Sequence, residues 1–240
     1  MFGWRAKIGF ISPNPGGLPG SLLEMERIAP DGVAFLTRYL DGPKSLATPH
    51  LTEMLPQIEP LARRLVQKAD IDIALMAGAP VVLANGPERV AQILHEATGV
   101  PATTNVAGLV NGMRRLDMQK VVVVTPYYPE SAVELVRNYL HETGFEIVAL
   151  VGGEGTLGTM HELSQEATYR MAKKAMLANP SADGILLVGG GAPLYNMIEF
   201  IETDTGKPVV ANNFASLWNA LTLANVRTPI RGYGKLLTCF

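Results

Sequence analysis

A degenerate internal repeat is the strongest constraint this chain places on its own fold. Thr98-Gly-Val-Pro-Ala-Thr-Thr-Asn105 returns as Thr205-Gly-Lys-Pro-Val-Val-Ala-Asn212, and Asp72-Ile-Ala-Leu-Met-Ala-Gly-Ala-Pro80 parallels Asp183-Gly-Ile-Leu-Leu-Val-Gly-Gly-Gly191 to within one residue of register. Two copies of one supersecondary unit imply a duplicated half, because each unit repeats the same burial pattern. Short apolar runs alternate with longer amphipathic stretches, the pattern of strand-helix units feeding a parallel sheet. Strands are predicted at 7–12, 33–38, 72–76, 102–105, 120–125, 145–150, 184–188 and 209–212. Helices are predicted at 52–67, 87–98, 107–116, 130–143, 162–179, 195–202 and 215–224. The expected fold is therefore α/β: two pseudo-symmetric halves, each a roughly four-stranded parallel sheet flanked by helices, with a cleft between them. Residues 1–112 form the first half and 113–213 the second, with 214–240 packing back on the first. In open sheets of this kind ligands bind beyond the carboxyl ends of the strands.

Composition narrows the function. Twenty basic residues against 22 acidic ones give a net charge of −2, and no Lys/Arg run is long enough to track a phosphate backbone, so nucleic acid is not an expected partner. The N-terminus lacks the long apolar region of a secretory signal, and no apolar stretch approaches the roughly 20 residues of a membrane span. The expected setting is the cytoplasm. One cysteine, Cys239, cannot supply a disulfide framework. The four histidines show no spacing that sets two on one helix face, so no metal is expected. No cofactor is implied either: neither glycine turn spells Gly-x-Gly-x-x-Gly followed by the acidic residue of a dinucleotide site.

The chemistry-bearing residues cluster at predicted strand ends. Gly189-Gly190-Gly191 follows the strand ending at Val188 and precedes a helix, so its N–H groups can converge on an anion, or it can be a tight turn that lets helix and sheet approach. Ala77-Gly78-Ala79 occupies the matching place in the first half. Ser12-Pro13-Asn14 ends the first strand with a hydroxyl and an amide able to bind a carboxylate, or forms a Pro/Gly turn with a local cap. Thr125-Pro126-Tyr127-Tyr128 ends another strand and offers phenols that can donate to an oxyanion or pack as amphipathic rings. Asn212 and Asn213 serve ligand contact or helix capping.

Taken together, Ile8-Gly-Phe-Ile-Ser-Pro13, Thr98-Gly-Val-Pro101, Val124-Thr-Pro-Tyr127, Asp183-Gly-Ile-Leu-Leu-Val-Gly-Gly-Gly191, Lys207-Pro-Val-Val-Ala-Asn-Asn213 and Arg231-Gly-Tyr-Gly-Lys235 resemble arylmalonate decarboxylase and its maleate isomerase relatives in the aspartate/glutamate racemase superfamily. The resemblance runs almost end to end. It implies a cofactor-free enzyme acting on a small carboxylate through an enediolate, with Tyr127 as the oxyanion tyrosine and Gly190 and Gly191 as backbone donors. Gly78 and Ala79 fall where decarboxylases carry hydroxyl residues, and Asn14 matches the substrate-binding asparagine of maleate isomerases. Leu157 and Met160 align with the apolar wall beside the departing carboxylate, or are plain core. The family's cysteine positions are occupied by Ala77 and Gly189, which cannot carry a proton from a side chain. Tyr127, Tyr128 and His161 are the remaining candidates for that task. The leading expectation is decarboxylation of a malonate-type diacid. Isomerisation or racemisation, and binding of a dicarboxylate without turnover, are the alternatives.

Overall fold

The structure, a computed structural model, describes residues 2–14, 20–67, 69–152, 164–191, 194–195 and 197–240, with no side-chain description at Asn14. Expected site residues Leu157, Met160 and His161 lie outside these.

Two four-stranded parallel sheets carry the fold, and their orders are the same. The first runs β2 (Val33–Asp41), β1 (Ala6–Asn14), β3 (Ile73–Met76), β4 (Ala102–Thr104). The second runs β6 (Glu146–Gly152), β5 (Lys120–Thr125), β7 (Gly184–Leu187), β8 (Val209–Ala211). Every pairing is parallel. β3 and β7, central in their sheets, are buried along their whole length, which explains why each reads as an unbroken apolar run rather than an alternation. Ten helices connect the strands among the described residues: α1 (Gly20–Ile28), α2 (Thr48–Thr52), α3 (Leu55–Val66), α4 (Ala79–Asn85), α5 (Pro87–Thr98), α6 (Asn105–Arg115), α7 (Glu130–Glu142), α8 (Gln165–Ala178), α9 (Met197–Thr205) and α10 (Asn212–Leu223). None is long and apolar enough to cross a membrane.

The repeat has a physical anchor. Asp72 Oδ2 accepts from Lys7 N at 2.7 Å while Asp72 N donates to Lys7 O at 2.8 Å. Asp183 does the same for Lys120, accepting at 2.7 Å and donating at 2.7 Å. One aspartate per half thus fixes where the inner strand enters its sheet. With both strands set, Ala77 N donates to Ile11 O and Val188 N to Val124 O. Gly78, rather than Ala77, is consequently the register equivalent of Gly189.

α6 and α10, the helices after β4 and β8, pack on each other and join the halves. Gly108 lets them approach: a Cβ there would lie 2.8 Å from Ala215 O and 3.2 Å from Ser216 Cα. Amides cross the same seam. Asn105 Nδ2 donates to Asn212 Oδ1 at 2.9 Å, and Asn111 Nδ2 to Asn219 Oδ1 at 3.1 Å. Asn105 and Asn212 close the two copies of the repeat and meet in the interior.

Several boundaries differ from the sequence expectation. The helix predicted at 52–67 is two helices, α2 and α3, each with proline in its first turn, where the missing N–H costs nothing. The strands predicted to end at Asn105 and Asn212 stop one residue earlier. In the first half the Thr104 hydroxyl caps α6 by accepting from Ala107 N at 3.1 Å. The helix predicted at 195–202 is α9, two to three residues later. α8 begins at Gln165 behind the Ser164 cap, which accepts from Ala167 N at 3.1 Å. The sequence pattern predicts no helix at α1 or α4.

Candidate active site

The two glycine turns leave the carboxyl ends of β3 and β7, and each glycine is covered by a ring from the adjacent strand end. Gly78 has φ +95° and Gly189 φ +144°, conformations that residues with a Cβ rarely adopt. Pro13, in β1, lies on Gly78: a Cβ on the glycine would stand 2.6 Å from both Cδ and Cγ of the proline. Tyr127, two residues beyond β5, lies on Gly189 in the same way, with its Cε1 at 2.9 Å from such a Cβ and its hydroxyl at 3.2 Å. Ala79, first residue of α4, and Val188, just after β7, line one small apolar cavity together with Leu83, Leu109, Leu140 and Leu186. Ala79 of the first turn and Val188 at the end of β7 thus share the wall of one cavity. The N–H groups of Gly78, Ala79, Gly189 and Gly190 have no hydrogen-bond partner among the described residues.

The second turn is held from both sides of one peptide. Gly191 N donates to the Tyr127 hydroxyl at 2.9 Å. On the far side, Gly190 O accepts from Ser21 Oγ at 2.8 Å and from Asn213 Nδ2 at 3.1 Å. Because a trans peptide directs its C=O and N–H oppositely, the two sets of contacts agree. Tyr127 is buried, 4% exposed, and burial pushes its phenol up to about 12, partly offset by the Gly191 N–H and the neighbouring Tyr128 hydroxyl. With its oxygen accepting from Gly191, the Tyr127 hydrogen is left to donate elsewhere. Tyr128 packs edge-on to Tyr127, ring centroids 5.0 Å apart, and its own phenol is raised well above the ordinary value by burial and by Tyr127.

Other expected residues sit differently. Thr125 ends β5 fully buried; its hydroxyl faces β6, where a Cβ on Gly152 would come within 3.2 Å, and it has no partner among the described residues. Asn213 directs its amide hydrogens inward, to Gly190 O and to Glu24 Oε2 at 2.7 Å. Ala77 is buried behind its turn. Asn14 pairs through β1 with Asp41.

Glu24 was not anticipated. It lies in α1, 1% exposed, and Oε1 accepts from Leu194 N and Tyr195 N, both at 2.7 Å. Burial raises its carboxyl above the usual range, opposed by the Asn213 amide and those two N–H groups. The available signal was helical spacing: Leu22, Met25 and Ile28 share the buried face with Glu24, a pattern hidden by the Pro/Gly run before it.

Known proteins show the same architecture. A family model described as arylmalonate decarboxylase matches residues 8–237. The arylmalonate decarboxylase of Bordetella bronchiseptica is 30% identical over 237 residues, covering 95% of each chain. A solved structure of a double mutant of arylmalonate decarboxylase in its liganded form is 26% identical, covers 96% of this chain and 98% of that one, and superposes with a TM-score of 0.86. A Nocardia farcinica maleate cis-trans isomerase mutant with a covalently bound succinylcysteine intermediate has the same fold, TM-score 0.87, at 21% identity over 97% of this chain and 98% of that one. Matched over nearly its whole length in sequence and superposing over nearly its whole length in structure, the chain belongs to the arylmalonate decarboxylase family, within the aspartate/glutamate racemase superfamily that also holds maleate isomerases.

Proposed function

We propose that this protein is a cofactor-independent decarboxylase acting on a small malonate-type dicarboxylate. The observation that carries the reading is the committed acceptor geometry of Tyr127: Gly191 N–H occupies its oxygen, so its hydrogen is available to an anion in the turn. Decarboxylation breaks the bond between the α-carbon and one carboxylate. The electron pair stays on the α-carbon, delocalises into the remaining carboxylate as an enediolate, and CO₂ departs. Lowering that barrier requires donors aimed at the developing charge and an apolar place for the departing group. Tyr127 and the N–H groups of Gly78, Ala79, Gly189 and Gly190 supply the donors, and Ala79 and Val188 contribute apolar surroundings.

A proton must then reach the α-carbon. The resemblance puts the family's cysteine positions at Ala77 and Gly189, and neither these nor Gly78 carries an acid. Tyr127, whose phenol remains protonated to about pH 12, is therefore the donor; it passes its proton to the α-carbon and its phenolate takes one back from solvent. Decarboxylation is favoured over isomerisation on chemical grounds. The Nocardia farcinica enzyme was captured with a succinylcysteine, whereas the one cysteine here, Cys239, lies beside Thr238 and its carbonyl is held by Trp218 Nε1 at 2.7 Å.

The test is a substrate panel: phenylmalonate, methylmalonate and maleate incubated with purified protein while CO₂ release and proton NMR are followed. CO₂ from a malonate supports the reading. Fumarate from maleate without CO₂ release would replace it with isomerisation, and binding without conversion of any of the three would make the protein a dicarboxylate binder.

A further inference from the structure

Among the described residues, Glu24 is the one charged side chain in the interior. No lysine or arginine among them forms an ion pair with it. Burying a carboxylate without a cation is costly unless charge-assisted hydrogen bonds replace its water, and Glu24 has three such bonds. Their location is informative. Leu194 N and Tyr195 N belong to the segment that follows the second glycine turn, and Asn213 begins α10.

Ser21 stands one helical turn before Glu24 on α1, on the same face. Its hydroxyl reaches Gly190 O, the atom that also receives the second hydrogen of Asn213. A helix of the first half therefore grips the second-half turn at both ends: Ser21 at Gly190, Glu24 at residues 194 and 195, with Asn213 tying the two grips together. Asn213 is held in turn by Asn212 Nδ2, which donates to its Oδ1 at 3.2 Å, and Asn212 is held by Asn105. The chain of amides runs from the seam between the halves to the back of the glycine turn.

We propose that Glu24 and Ser21 are positioning residues. They hold the Gly190-Gly191 peptide so that its N–H points at Tyr127, leaving the Tyr127 hydrogen for the substrate anion. The proposal rests on the reading of Tyr127 as an anion donor, but its structural part stands without turnover. A peptide released from Ser21 and Asn213 can rotate, and once its N–H turns away the Tyr127 oxygen loses its donor. Neither Glu24 nor Ser21 needs to touch the substrate for this.

Tyrosine labelled with ¹³C at Cζ and glycine labelled with ¹⁵N report on the same contact in the unliganded protein at neutral pH. In Glu24→Ala we expect the Tyr127 Cζ and Gly191 amide resonances to move and Gly191 amide exchange to accelerate at least tenfold. Ser21→Ala should shift them in the same direction by less, and Glu24→Gln should partly restore them because its carbonyl still accepts. Should Glu24→Ala fail to fold, Ser21→Ala carries the test alone, since it removes one hydroxyl. With phenylmalonate, both alanine variants should lose at least tenfold in kcat with KM little changed. Folded variants whose Tyr127 and Gly191 signals match wild type overturn the positioning role. Absence of phenylmalonate turnover in the wild type, with those signals moving as expected, tells against the decarboxylase reading and leaves the positioning role supported.

Discussion

A Cβ on Gly189 would stand 2.9 Å from Cε1 and 3.2 Å from Cζ of Tyr127. The tyrosine thus fills the space that a side chain at residue 189 would need, and the resemblance to the family puts a cysteine at that residue. Gly189→Cys has to overcome both the ring and a φ of +144°. Strained backbone of this kind costs about 1–3 kcal/mol. Urea denaturation of Gly189→Cys should show a loss of that size. Unchanged stability would mean that the Tyr127 ring moves aside freely.

The Tyr127 phenol couples stability to alkaline pH. Its folded value lies above the ordinary 10, at about 12, so the folded state holds its proton more tightly than the unfolded chain does. Stability is fully present below pH 10 and declines as pH rises toward about 12, by about 3 kcal/mol for a two-unit shift. Denaturation midpoints measured at successive pH values above 9 should fall less steeply in Tyr127→Phe than in wild type. Parallel slopes would show that Tyr127 does not hold its proton this way.

Glu24 acts at the other end of the scale. Its carboxyl is raised from 4.5 by burial, so the folded state retains a proton that the unfolded chain releases first. The sign follows: stability is greatest below pH 4.5 for this group and is lost as pH rises through the folded value. Glu24→Gln cannot titrate. The stability of wild type relative to Glu24→Gln should therefore decrease as pH rises above 4.5, and a difference independent of pH would contradict the raised carboxyl.

At the seam between α6 and α10, two effects on Gly108→Ala oppose each other. Alanine in a helix interior is favoured over glycine by about 1 kcal/mol. The new methyl, however, would meet backbone at Ala215, with O at 2.8 Å and C at 3.0 Å, and backbone cannot rotate out of the way as a side chain can. Overpacking of this sort costs about 1–3 kcal/mol, so net destabilisation is expected in thermal unfolding. A stabilised Gly108→Ala would show that the helices separate easily.

Much of this fold was legible because its informative residues repeat. Each expected strand has a counterpart in the structure, since central parallel strands are continuous apolar runs bounded by Asp72 or Asp183 and a glycine turn. α4 was not legible: it has seven residues, opens with a proline in its first turn, and follows a glycine that reads as the end of structure rather than a beginning. α1 was hidden for a similar reason, by the Pro/Gly run before Gly20. In the site, Tyr127 and the glycine turns could be read because strand ends are where such folds place ligands. The inward direction of Asn213 and the burial of Glu24 could not, because each depends on a partner more than 160 residues away. One residue of register was also ambiguous in sequence, and the strand ladders resolve it by giving Gly78 and Gly189 equivalent places in the two sheets.

The central claim is that the free hydrogen of Tyr127 stabilises the charge left behind when CO₂ departs. Its most direct test is the rate of CO₂ release from phenylmalonate by wild type and by Tyr127→Phe at saturating substrate. Removal of one oxyanion donor should lower kcat by about 10²–10³ while the folded protein persists at neutral pH. Equal rates in the two proteins would contradict the account.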